Sequence, residues 1–248
     1  MGYIKMDYIN EEAVKKKKNR AFLTIALIFV CMPATIYGGI LLLDDRKYFF
    51  ISILLVIESM IPFFMAFESR RPQARELVVI AVLTAIAVAG RAAFFMVPQF
   101  KPVIAIVIIA GVCFGGETGF LVGAMAAFVS GFFFGQGPFV PWQMFSIGVI
   151  GFLAGILVQK KVLKKTVKTL TVFGGLSTFF IYGGIMDLCS IMMWTQEITW
   201  ELVAATYTAG LMFNLIHAGA TIVFLLLLTK PMIEKLERIK IKYGLFLL

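Results

Sequence analysis

Residues 103–134 read VIAIVIIAGVCFGGETGFLVGAMAAFVSGFFF, two apolar runs joined by a glycine turn whose one acidic residue is Glu117. Neither run alternates apolar with polar side chains as the strands of a membrane barrel do, so helices are the expected element. The first run, Val103 to Gly116, gives only about 21 Å of helix at 1.5 Å per residue. It has to be short, tilted or extended into a neighbouring loop. Working outward on both sides, further apolar runs lie near 21–43, 49–67, 77–98, 142–158, 169–192 and 202–229, with 118–134 as the second half of the opening stretch. The fold class predicted is an all-α polytopic membrane protein crossing the bilayer about eight times.

Composition agrees. Hydrophobic residues make up 60% of the 248 and charged residues 15%, and the mean hydropathy is +0.94, outside the usual mix of a soluble domain. The basic N-terminal segment before Ala21 resembles a signal peptide, but the run that follows is too long and has no small-residue cleavage site before Asp44. It is expected to remain as the first span. Cys31, Cys113 and Cys189 fall in separate apolar segments without the paired spacing of a zinc or redox site. The net charge of +9 does not point to nucleic acid, because the basic residues sit at span ends.

Those basic residues predict orientation. Of the 23, all but Arg46, Lys47, Arg91 and Lys101 fall in the N-terminal segment, the 68–76 loop, the 159–168 loop and the C-terminal tail. Short loops rich in lysine and arginine face the cytoplasm, which places both termini there. Trp142, Trp194 and Trp200 stand near the opposite ends of their spans, as interfacial aromatic rings do. The composition divides into a cytoplasmic segment 1–20, a two-helix extension 21–72, a six-span core 73–231 and a cytoplasmic tail 232–248.

Several features stand out against the apolar background. Ala81, Ala85 and Ala89 repeat at i+4, lining small side chains along one face where another helix could approach, from within the chain or from a partner subunit. Gly111, Gly115, Gly119 and Gly123 keep the same spacing and predict close packing of two short helices around a sharp turn. Arg91 lies inside an apolar run and either snorkels to the surface or meets an anionic or amide-bearing ligand. The segment from Phe134 to Gln143, with Gln136 and Trp142, holds two glycines and two prolines and is read as a shaped loop closing over a ligand. Asp187 is an acid within an apolar run, and Asn214 and His217 share a helical face three residues apart. Glu58 either pairs with a basic group or is protonated. No nucleophile with its base, phosphate loop or catalytic carboxylate pair is present, so no enzyme activity and no resident cofactor or metal are expected.

From Ala74 to about Pro231, the Ala-Arg-Glu-Leu start with its alanine repeat, Arg91, the Gly-Gly-Glu-Thr-Gly turn and the Phe-Gly-Gln-Gly-Pro-Phe-Val-Pro-Trp-Gln loop resemble the substrate-binding S components of energy-coupling factor (ECF) transporters. The resemblance implies a six-helix membrane protein of a prokaryotic cell membrane that captures a vitamin or related micronutrient. It implies docking, through Ala81, Ala85 and Ala89, on a transmembrane coupling subunit that works with two ATPase subunits. It implies that the 98–102 and 135–142 loops close the cavity; Arg91, Gln136, Trp142, Gln143, Asp187, Asn214 and His217, the polar and aromatic residues singled out above, are expected to contact substrate. With its two extra N-terminal helices the chain looks most like predicted cobalamin-type S components, which would make a corrinoid the transported substrate and His217 a possible cobalt contact. The competing readings are a proton-coupled secondary transporter of a small anion, using Glu58 or Asp187 with Arg91, and an intramembrane enzyme acting on a lipid through His217 and Asp187.

Overall fold

The computed structural model describes residues 48–69, 72–194 and 198–245, with isolated positions between 30 and 38. The expected first span, 21–43, therefore lies mostly outside the described residues. Those residues form helices α1 (Tyr48–Ser69), α2 (Ala74–Ala93), α3 (Val103–Phe114), α4 (Gly116–Phe134), α5 (Val140–Gln159), α6 (Val167–Ser177), α7 (Gly184–Trp194) and α8 (Trp200–Tyr243). A π-helical turn, Thr178–Gly183, joins α6 to α7 into one span. Among the described residues six segments are long and apolar enough to cross a membrane, with α3 as a shorter apolar helix. The chain is an all-α polytopic membrane protein.

Local chemistry sets the helix ends. The Glu76 carboxylate accepts the Gln73 N–H at 3.3 Å at the start of α2, satisfying a donor the helix itself leaves open. Thr166 and Thr199 do the same with their hydroxyls for the Thr169 and Leu202 amides that open α6 and α8. Pro141 stands in the first turn of α5, where its missing N–H costs nothing. Gly115, with φ of 100°, is the single residue between α3 and α4, so the predicted Gly115 to Gly119 turn is tighter than the repeat suggested: Glu117 and Gly119 already belong to α4.

The short helix is the centre of the fold. All twelve residues of α3 are buried, and it touches α2, α4, α5, α6 and α8. A span of about 18 Å survives in a membrane because other helices, not lipid, surround it. The most extensive contact is between α4 and α5, along a seam of glycines. A Cβ at Gly119 would lie 2.7 Å from Cα of Gly111 and from the carbonyl carbon of Gly151, and one at Gly123 would lie 2.9 Å from the Gly148 nitrogen. Real Cβ atoms do not approach backbone so closely, so only glycine permits these crossings.

Two boundaries differ from the expected ones. The last helix continues to Tyr243 rather than ending near 229, although Pro231 lies inside it and proline commonly marks a helix end. The continuation is packed: Ile233 and Leu236 are buried, and one turn on the Lys240 ammonium donates to the Cys113 carbonyl at 3.0 Å, closing the end of α3. Lys165 pairs with Glu237 at 2.9 Å. The third span ends at Ala93 instead of 98, in a turn whose carbonyls are gathered by Lys101.

The proposed division at residue 72 is a contact surface in space. From α1, Phe63 stacks on Phe120 with ring centroids 4.1 Å apart and meets Phe152 edge-on at 4.9 Å. Val56 and Met60 join the same buried cluster. Glu58 accepts a hydrogen bond from the Thr35 hydroxyl at 2.6 Å, so its partner among the described residues is a neutral hydroxyl rather than a basic group.

Candidate functional site

At the bundle end where α2 joins α3, the start of α5, the π-helical turn, α7 and the first half of α8 border an open cavity of about 440 Å³. Thr206, Gly210, Asn214 and His217 present one face of α8 to it, at the spacing that keeps side chains on a common stripe. Tyr182, Asp187 and Ser190 line the facing wall, with Gln143 from α5 and Gln99 from the preceding loop. Four residues expected at a substrate site, Gln143, Asp187, Asn214 and His217, are thus brought together. Gln99 belongs to the 98–102 loop expected to close the cavity, while Tyr182, Ser190 and Thr206 were not anticipated.

A π-helical turn inserts an extra residue into the helical ladder and re-aims the side chains that follow; such turns recur at functional sites. Here Thr178, the first residue of the turn, donates through its hydroxyl to Thr221 at 3.0 Å, and Thr221 donates to the His217 carbonyl at 3.0 Å. The turn is thereby tied to α8. Tyr182 meets the His217 ring edge-on with centroids 4.6 Å apart. His217 is buried, and among the described residues no side-chain hydrogen bond holds its imidazole.

The acid and the amide form a pair. The Asn214 amide donates to Oδ2 of Asp187 at 2.8 Å. Glycine makes room for both: a Cβ at Gly183 would lie 2.5 Å from the Asn214 side chain, and one at Gly210 would run into the Asp187 carboxylate. Across the same junction the Tyr207 hydroxyl donates to the Gly184 carbonyl at 3.0 Å.

The remaining expected residues lie elsewhere. Arg91 donates to the Ser130 hydroxyl at 2.6 Å and lies over the Phe134 ring, 5.2 Å from its centroid, so it ties α2 to α4 and does not line the cavity. Gln136 folds back over Gly131 and donates to the Phe128 carbonyl at 3.1 Å. Trp142 is buried among Val56, Met60, Phe120, Ala124 and Cys189, with its indole N–H unpartnered among the described residues. It is a packing residue between α1, α4, α5 and α7. Lys101 donates to the carbonyls of Phe94 at 2.8 Å and Val97 at 2.6 Å. Partial burial, with Arg91 nearby, pulls it below the ordinary lysine range. Ala81, Ala85 and Ala89 are all exposed along α2, on a face separate from the cavity. Among the described residues no three metal-binding side chains converge.

Arg91 is then expected to act on stability. Arg91→Met removes a charge-assisted hydrogen bond and a ring contact and should cost about 1–2 kcal/mol, read as a lower unfolding midpoint in detergent. Arg91→Lys, which keeps the charge but not the planar stack, should recover only part of it. An unchanged midpoint in Arg91→Met would remove this tie.

No curated protein and no solved structure matches the chain. A family model described as the ECF transporter, substrate-specific component, matches residues 75–229, more than half of the sequence and every cavity-lining residue named above. The match starts at α2, where the alanine repeat begins, and covers the helices that wrap α3. The chain belongs to the substrate-specific components of ECF transporters.

Proposed function

We propose that this protein is the membrane-embedded capture subunit of an ATP-driven micronutrient importer. It takes its ligand from outside at the cavity between α5, α7 and α8 and docks through the alanine face of α2 on a transmembrane coupling subunit that carries two ATPases. The observation that carries this reading is the separation of the two surfaces. The polar groups converge at one end of the bundle on α5, α7 and α8, while the small residues Ala81, Ala85 and Ala89 stand exposed on α2. A subunit that binds on one face and is driven from another needs this division. The distribution of lysine and arginine supports a prokaryotic plasma membrane orientation with the cavity outward and both termini inside.

Size bears on the ligand. Cavities of roughly 300–1,000 Å³ hold drug-sized molecules, and one of about 440 Å³ takes a small vitamin whole. A corrinoid, the ligand first suggested by the resemblance, would present one edge of its macrocycle to the cavity, its amide side chains meeting Gln143 and Asn214, while the loops part for the rest. His217, edge-on to Tyr182, would be its cobalt contact only in a pose that brings the face of the macrocycle, rather than its edge, against the imidazole. A cobalamin affinity and absorption spectrum unchanged in His217→Ala would remove that role.

Native mass spectrometry of the full chain purified from a host that expresses it is the direct test. It should show a retained small molecule together with a membrane subunit and an ATPase pair. Uptake by vesicles holding this chain alone, driven by a proton gradient and indifferent to ATP, would overturn the proposal in favour of a secondary transporter.

A further inference from the structure

We infer that the ligand of the α5–α7–α8 cavity carries a positively charged nitrogen, held by Asp187 with Asn214 fixing the carboxylate. This rests on the capture-subunit reading for its biological meaning but not for its geometry.

Asp187 is 8% exposed and lines the cavity. One oxygen takes the Asn214 amide at 2.8 Å, and the other lies where a side chain on Gly210 would begin. Gly183 makes the corresponding room beneath Asn214. The pair is therefore seated in a recess that both helices leave open for it. Among the described residues no lysine or arginine forms an ion pair with Asp187. Among the described residues the two basic groups of that bundle end are already engaged, Lys101 with the carbonyls of Phe94 and Val97 and Arg91 with Ser130 and Phe134.

A carboxylate taken out of water without a counter-charge is costly, and intramembrane acids are retained where a partner compensates them. The rest of the lining is neutral: amides at Gln99 and Gln143, hydroxyls at Ser190 and Thr206, and the rings of Tyr182, Phe213 and His217. Aromatic faces suit a cation. An anionic ligand would meet Asp187 with no lysine or arginine among the lining residues; the charges of Lys101 and Arg91 act on the His217 side of the cavity from outside its lining. A ligand that brings its own counter-charge, as an ammonium, an amidinium or a cationic heterocycle, satisfies Asp187, whereas the neutral amide edge of a corrinoid does not.

Three probes of nearly one size and different charge test this: benzamidinium, benzamide and benzoate, titrated calorimetrically into the purified full chain in lipid nanodiscs. Benzamidinium should bind about tenfold or more tightly than either of the others, the margin of a charge-assisted hydrogen bond. The preference should collapse in Asp187→Asn, which keeps the shape and loses the charge. It should collapse also in Gly210→Ala, which displaces the carboxylate while leaving Asp187 in place. Equal or tighter binding of benzamide or benzoate, no binding of any probe, or a preference that survives in either variant overturns the inference. The titration involves neither coupling subunit nor ATP. A failure to co-purify ATPases leaves its result standing, and a failed charge preference leaves the capture reading standing.

Discussion

Replacing Gly151 by leucine is expected to abolish the folded bundle. Gly151 sits where α3, α4 and α5 cross, and even a Cβ there would lie 2.5 Å from the Gly119 carbonyl oxygen and 2.7 Å from its carbon. These neighbours are backbone and cannot swing aside as a side chain would. Gly119 in turn lies against Gly111 of the central helix, so relief by moving α5 outward opens the contact on which α3 depends for its burial. Overpacking alone typically costs about 1–3 kcal/mol, and a substitution that separates helices across a whole seam exceeds that, reaching about 4 kcal/mol or more. The expected readout is loss of monodisperse protein in detergent and of any cooperative unfolding transition. Gly219→Ala is the matched control: nothing lies within 4 Å of its Cβ position on α8, and the change should be neutral or stabilising by up to about 1 kcal/mol. A Gly151→Leu protein that melts like the wild type would mean that the helices do not cross as closely as described.

Hydropathy made the spans legible because a lipid-exposed or bundle-buried helix must be apolar along its whole length. It also placed α3, but it could not say that this shortest run is the most enclosed, since apolar residues look alike facing lipid or protein. The repeat at Gly111, Gly115, Gly119 and Gly123 announced close approach. It did not name the partner, Gly148, Gly151 and Gly155 of α5, because a glycine reports the room it leaves and not what fills it. Polar residues in apolar runs were the useful signal at the site, and Asp187, Asn214 and His217 do line one cavity. The same signal at Arg91 led elsewhere, because the Ser130 hydroxyl that receives it lies 39 residues away on α4. Tyr182 was hidden by the π-helical turn, which breaks the regular spacing that places side chains on a face. Thr206 and Gly210 were readable, four residues apart and in register with Asn214. The last helix outruns its apolar stretch near 229, because packing of Ile233, Leu236 and Lys240 on the base of the bundle outweighs the hydrogen bond that Pro231 removes.

Ala85→Trp should uncouple the protein from its driving subunits while leaving the cavity intact. Ala81 and Ala85 line a groove of about 390 Å³ between α2 and α4, together with Leu77, Leu121 and Met125 and the buried Ile80. Thr84, also lining it, has a buried hydroxyl without a partner among the described residues. Small residues at i+4 let a facing helix backbone come close enough for dispersion and weak hydrogen bonds to hold it, the main source of helix association where lipid removes the hydrophobic drive. An indole at position 85 fills that space from within. Ala85 is exposed, so the substitution has no core to disrupt, and none of the cavity-lining residues belongs to α2. Truncations and intrusions at the centre of an interface cost about 2 kcal/mol or more, roughly 30-fold in affinity. Co-purification of the coupling subunit with its ATPases should fall by that factor and ATP-dependent uptake with it, while benzamidinium affinity stays at the wild-type value. Ala81→Trp should behave alike, and Ala89→Trp less severely, since Ala89 stands outside the groove. If both Ala81→Trp and Ala85→Trp retain the full complex, the partner approaches another face, and the alanine repeat serves only to keep this one smooth against lipid.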